Sequence, residues 1–370
     1  MIREEINEIK KQFNKDTNVI TKYAGCYVDA EKNIKFLTKD AFYSLPEEDA
    51  FKYEEIFRKT LSGALGKSLL NLDFTISDEE EGLPHSFLMK LRDSGLDDMV
   101  ILEEFFRRVI DSYEYPENYY IILTNIMYDV PGKTGDKISM DDASDEVYHA
   151  LLCSICPVNL SKPALSYFAD EGVIANRVRD WIVGMPMHGF LFPAFTERTT
   201  DIHSALYFSK KNDEINENFI HEIIGVTPPL SAAMQKETFE AVLYDVLRDE
   251  LTMPVMSSLS SNMIEMIAEK NDSCEPLVLT KNDMVKLISK SGVSDEAVEA
   301  YDKSEDADIE VMADNVIDTK KFEVKTPGIT VKAAPDSITK IETKIIDGRK
   351  CIVIPVDDNV EVNGMPVKSI

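Results

Sequence analysis

The chain has 370 residues, enough for two or more domains that each bury a core without disulfide or metal staples. Its 67 Asp and Glu against 40 Lys and Arg leave a formal charge of −27, which argues against a broad polyanion-binding surface. Its most apolar stretch, Trp181 to Phe195, is broken by Gly184, Pro186, His188, Gly189 and Pro193, and nothing approaches the roughly 20 apolar residues of a membrane span.

Residues 1–14 form a charged helix on the sequence pattern, and Met1-Ile2-Arg3-Glu4-Glu5 lacks the apolar h-region of a signal peptide, so a cytoplasmic protein is expected. Thr17 to Leu37 reads as a hairpin with its turn at Asp29 to Asn33. Ser44 followed by Glu47 has the spacing of a capping box. The helix it would open places Tyr53, Ile56, Phe57, Thr60 and Leu61 on one face. Two further helices are expected across 85–115, the second with Leu102, Phe105, Phe106, Val109 and Ile110 as its stripe.

From Asn118 to about Lys210 the period becomes strand-like: Tyr119 to Leu123, Val147 to Cys156, Ala164 to Phe168, Phe190 to Phe192 and Ser204 to Phe208. Strands and helices do not alternate here, so an antiparallel sheet is expected. Residues 212–304 turn helical, with one stripe through Phe239, Val242, Leu243, Val246 and Leu247 and a Met-rich one through Met256, Leu259, Met263 and Ile267. Thr280 and Ser294 are placed to cap helices, and Gly292 to end one. Beyond Lys320 short strands return, with hairpin signals at Asp347-Gly348 and Asn363-Gly364. The expected fold class is α+β. It comprises an α+β domain over 1–211, a helical region over 212–304, an acidic linker over 305–319 and a small antiparallel β unit of four or five strands over 320–370.

Catalytic motifs fail their spacing. Gly63 to Ser68 ends like a phosphate loop but has Leu61 where the first glycine belongs, and Pro131-Gly132-Lys133-Thr134 has Met127 there. Pro335-Asp336 with Glu342-Thr343-Lys344 resembles a nuclease motif, but only five residues separate its two carboxylates. Cys153 and Cys156 lack a second knuckle for zinc and a following helix for redox chemistry, and buried strand thiols account for them. With Cys26, Cys274 and Cys351 they make five, an odd number that suits a reducing compartment. The most suggestive cluster is Arg198-Thr199-Thr200-Asp201-Ile202-His203. Asp201 and His203, two apart on a strand, would face the same way and could share a metal or a proton, with Asp129, Asp136 or His188 as partners. The competing reading is a carboxylate capping a turn.

Several strings resemble family 4317 of the domains of unknown function: Gly25-Cys26-Tyr27-Val28, Leu61-Ser62-Gly63, Tyr128 to Thr134, Asp145-Glu146-Val147-Tyr148, Cys153 to Pro163, Phe192-Pro193-Ala194-Phe195, Thr200 to His203 and Ile346 to Lys350. The resemblance spans nearly the whole chain and implies a bacterial protein, but no established activity and so no catalytic residue. The order of elements is also similar to that of nucleoid-associated proteins, a likeness of pattern alone.

The leading expectation is a non-catalytic protein-interaction or scaffold module with no cofactor and a protein partner of basic character. One alternative is a DNA-binding protein using Lys325, Lys332, Lys344, Arg349 and Lys350, which the acidity disfavours. The other is a metal-dependent hydrolase centred on Asp201 and His203, with Asp129 as a further candidate.

Overall fold

The computed structural model describes all residues except 15, 18, 134–138, 213, 271–275, 357–359 and 368–370, and does not describe the side chains of 133 and 139–145. The chain forms two compact units, Met1–Ser231 and Ala232–Ile370.

The first unit opens with α1 (Arg3–Lys11), β1 (Ile20–Val28), β2 (Ile34–Ala41), α2 (Glu47–Thr60) and β3 (Leu69–Asp73). Helices α3 (Pro84–Asp93) and α4 (Met99–Ser112) lead to the long β4 (Tyr119–Lys133) and β5 (Ser139–Leu160). Next come the short β6 (Leu165–Phe168), β7 (Val173–Asn176), β8 (Trp181–Val183), β9 (His188–Phe192), β10 (Ala194–Thr196), β11 (Thr199–Asp201) and β12 (Ser204–Ser209). A short α5 (Glu217–Phe219) runs into a π turn at 220–224.

The main sheet has the order β2-β1-β4-β5-β9-β12-β3, with β8 attached to β5, and its pairings are antiparallel. Both faces are covered. Ile121 and Leu123 of β4 and Leu151, Cys153 and Ile155 of β5 pack with Leu102, Phe105, Phe106 and Val109 of α4 on one side. Ile122 and Ile126 of β4 and Ala150, Leu152 and Cys156 of β5 pack with Ile9 of α1 and Ile56 and Phe57 of α2 on the other. Two-sided burial explains why these strands read as unbroken apolar runs. The layers meet closely at Gly189, where a Cβ would press on the Cys153 carbonyl and the Thr60 methyl.

The expected capping box at Ser44 does not form. Leu45, extended as the residue before a proline tends to be, separates a short 3₁₀ turn (Phe42–Ser44) from α2, whose N-cap is Pro46. The Ser44 hydroxyl instead donates to the Ala41 carbonyl. Residues 212–231, grouped with the helices on sequence, belong to the first unit, because Phe219, Ile220, Ile223 and Ile224 are buried in its core.

The second unit packs α6 (Ala232–Leu247), α7 (Met253–Lys270), α8 (Lys281–Ser289) and α9 (Asp295–Lys303), with β13 (Val278–Leu279) between α7 and α8. The Thr280–Asp283 capping box and the Ser294 cap form as expected. Met263 is buried and Met256 and Met266 lie partly buried against the same core, so the Met-rich stripe faces inward. The segment expected as an acidic linker instead carries β14 (Val311–Met312) and α10 (Ala313–Val316). Ala307, Val311, Ala313 and Val316 join the helical core, because the intervening carboxylates leave enough apolar positions to fill it.

In place of the expected single unit of four or five strands, the described residues of the β tail form three two-stranded ribbons: β15 (Phe322–Thr326) with β16 (Ile329–Ala333), β17 (Glu342–Ile346) with β18 (Arg349–Val353), and β19 (Val360–Val362) with β20 (Met365–Val367). Asp347-Gly348 and Asn363-Gly364 have positive φ throughout, as a tight hairpin turn requires.

Candidate functional site

Asp201 ends β11, and its carboxylate accepts hydrogen bonds from the His203 amide at 3.1 Å and the Ser204 hydroxyl at 2.7 Å. The carboxylate therefore closes the turn into β12. The His203 imidazole is exposed and meets Glu79 at 2.6 Å, and that carboxylate raises its pKa. Asp129 is exposed on β4 opposite Val147, with no hydrogen bond to Asp201 or His203 among the described residues. His188 lies elsewhere, its Nδ1 2.8 Å from the Tyr113 hydroxyl, and burial lowers its pKa to about 4. Asp136 lies outside the described residues. Among the described residues no group of three His, Cys, Asp or Glu side chains could hold a metal ion.

Cys153 and Cys156 are three positions apart on β5, and so point to opposite faces of the sheet, one into each core. They are fully buried, and burial pushes both thiols well above the usual range and Cys26 up to about 12. A dithiol reaction between Cys153 and Cys156 is therefore closed off by geometry. Cys274 is outside the described residues.

Gly63 to Ser68 forms the turn that feeds β3, with the Gly66 amide donating to the Leu69 carbonyl at 2.7 Å. Pro131, Gly132 and Lys133 end β4, and Thr134 is outside the described residues. Asp336 sits in a 3₁₀ turn (Pro335–Lys340), whereas Glu342 on β17 pairs with Lys344 at 2.6 Å. Lys325 and Lys332 approach the same carboxylate, Glu323, at 2.7 and 3.9 Å. Arg349 and Lys350 lie on β18. The proposed basic residues are thus divided between two ribbons, and three of the five sit against glutamates of their own ribbon.

A different surface combines shape with charge. A groove of about 610 Å³ runs between the segment after α1 and the start of α2, lined by Ile20, Phe42, Leu45 and Phe51 with Glu47, Glu48 and Glu54. A second hollow of about 450 Å³ lies across α2, with Asp49, Glu55, Tyr53 and Tyr120, and shares Leu45 and Lys52 with the first. Together the two are lined by five carboxylates and one ammonium, Lys52.

The local sequence builds this surface directly. The 3₁₀ turn buries Phe42 while leaving Tyr43 59% exposed, and the α2 stripe buries Ile56 and Phe57 while leaving Phe51 55% exposed. Arg58 stacks over the Phe51 ring at 5.5 Å and bonds the Phe13 carbonyl, fixing the groove wall to the end of α1. Glu54 is buried at the wall, and the loss of water raises its pKa even with Arg58 at 3.5 Å. In the second hollow the Tyr53 and Tyr120 hydroxyls meet at 3.1 Å.

The sequence pattern places Glu47, Tyr53, Ile56 and Phe57 on this helix as structural residues only, and Tyr43, Phe51 and the other carboxylates were not singled out. An available signal was Phe51, an aromatic outside its helix stripe beside three consecutive acids.

Over residues 1–365 the chain matches the family described as domain of unknown function DUF4317, and it belongs to that family. No match was found among curated proteins.

Proposed function

We propose that the protein is a non-catalytic interaction module whose groove along α2 takes a basic segment of a protein partner. The observation that carries this reading is the combination of exposed Tyr43 and Phe51 with five lining carboxylates against Lys52. The aromatic rings offer large contact area at small entropic cost, while the carboxylates steer and orient a cationic segment. The overall charge of −27 acts in the same direction at longer range. The pairing of Lys325, Lys332 and Lys344 with Glu323 and Glu342 supports a protein partner over nucleic acid. The capping role of Asp201 supports binding over hydrolysis.

The test is fluorescence anisotropy with a labelled amphipathic Lys/Leu peptide and its Glu/Leu counterpart. The Lys/Leu peptide binds, weakens with salt, and loses about tenfold or more in affinity to the charge-reversed Glu48→Lys/Asp49→Lys protein. The Phe51→Asp protein, still folded by circular dichroism, weakens binding comparably. Equal affinity for both peptides, or no effect of either variant, overturns the proposal.

A further inference from the structure

The second surface is an arm. Beyond the sheet, the end of β5 continues through β6 and returns through β7 and β8 as one antiparallel ribbon. Its pairing keeps a single register, from Leu160 opposite Trp181 to Phe168 opposite Val173. Backbone bonds from Ser161 to Asp180 and from Arg177 to Ala164 bridge the irregular stretch between. From Val158 to Phe168 the ribbon reaches roughly 35 Å at 3.3 Å per residue. In its outer half Leu165, Tyr167 and Ile174 share one face and are 71%, 67% and 69% exposed. A lone two-stranded ribbon is marginal in water, and a run of large apolar side chains on it marks a contact surface.

We propose that this arm is a homodimer contact, packed antiparallel against the arm of a second copy about a two-fold axis. Charge selects that occupant. Asp170 and Glu171 make the tip acidic, and Lys162, Arg177 and Arg179, with Asp180, leave the base net basic. The arm from 161 to 180 therefore has three cations and three anions, net zero, in a chain of −27. Two such chains repel over most of their surface, and the arm is where self-contact is least opposed. An antiparallel pair lays each acidic tip on the partner's basic base and stacks the Leu165, Tyr167 and Ile174 faces at the axis. This is the self-complementarity an isologous interface demands.

Sedimentation equilibrium of the full chain tests it, with circular dichroism to verify folding. The wild-type protein is a dimer, and Leu165→Ser/Tyr167→Ser/Ile174→Ser raises the dimer Kd by about tenfold or more. The tip reversal Asp170→Lys/Glu171→Lys and the base reversal Arg177→Glu/Arg179→Glu each weaken self-association. An equimolar mixture of the two reversed chains regains the dimer, because each tip then meets an opposite base. A monomeric wild type, a dimer indifferent to the serine variant, or a mixture no tighter than its components overturns the proposal.

Discussion

The main sheet and the two-stranded ribbons of the chain are written in the same strand alphabet, yet they end in different surroundings. In β4, Ile121, Ile122 and Leu123 point alternately to two faces and are all fully buried, because α4 covers one face and α1 and α2 the other. In β6 and β7 the backbone alternates in the same way, but Leu165, Tyr167 and Ile174 stand in water. The β17–β18 ribbon repeats the contrast, with Ile345 74% exposed. The lesson is that strand formation and strand burial are separate facts. An apolar strand face left exposed among the described residues marks a candidate contact surface.

The largest test of this contrast is a paired truncation. Phe192 is fully buried, edge-on to Phe74 and His85 at 5.7 and 5.4 Å, so Phe192→Ala costs about 3–5 kcal/mol in urea unfolding. Tyr167→Ala on the arm stays within about 0.5 kcal/mol of wild type under conditions where the protein is monomeric. Equal losses would erase the distinction. Next, Gly189→Ala forces a Cβ against the Cys153 carbonyl and Thr60, and overpacking of this kind costs about 1–3 kcal/mol by the same assay.

Acid sharpens the comparison further. Burial holds the folded-state pKa of His188 at about 4, whereas the unfolded chain takes up that proton near 6.5. The contribution of His188 to stability is therefore complete above the ordinary histidine range and is lost as pH falls from about 6.5 toward 4. His188→Gln flattens part of that decline in pH-dependent denaturant titrations. His149, also lowered by burial, supplies a further share, and exposed His203 does not. A His188→Gln protein with the full wild-type slope would contradict the assignment. In the helical unit, Thr280→Ala removes the α8 cap and costs about 1 kcal/mol, read from the urea midpoint.

The α+β class and most main-sheet strands were legible because aromatic and β-branched runs bounded by turn residues leave few alternatives. The turns at Asp347-Gly348 and Asn363-Gly364 were legible for the same local reason. β3 was not. Leu69 to Asp73 is short and follows a glycine turn that drew attention to phosphate-loop spacing instead. The Ser44 cap failed because Pro46 redirects the backbone after the hydroxyl, a constraint that outranks cap spacing.

For the site, the turn-capping reading of Asp201 was on hand, but the pairing of His203 with Glu79 joins residues that no local pattern connects. The groove was hidden for a similar reason. Its walls come from Gln12, Asn14, Thr17 and Ile20 and from residues 42–54, so its carboxylates are contiguous in the sequence but its shape exists only after α2 has docked against the end of α1.

The most direct measurement is hydrogen–deuterium exchange of the wild-type protein with and without the Lys/Leu peptide. Slowed exchange is expected in the peptides that carry Gln12, Asn14, Thr17 and Ile20, residues 42–56, Tyr120 and residues 183–185, which line the groove and the hollow beside it, and not elsewhere. Protection centred on 199–204 or 320–353, or none at saturating peptide, would contradict the account.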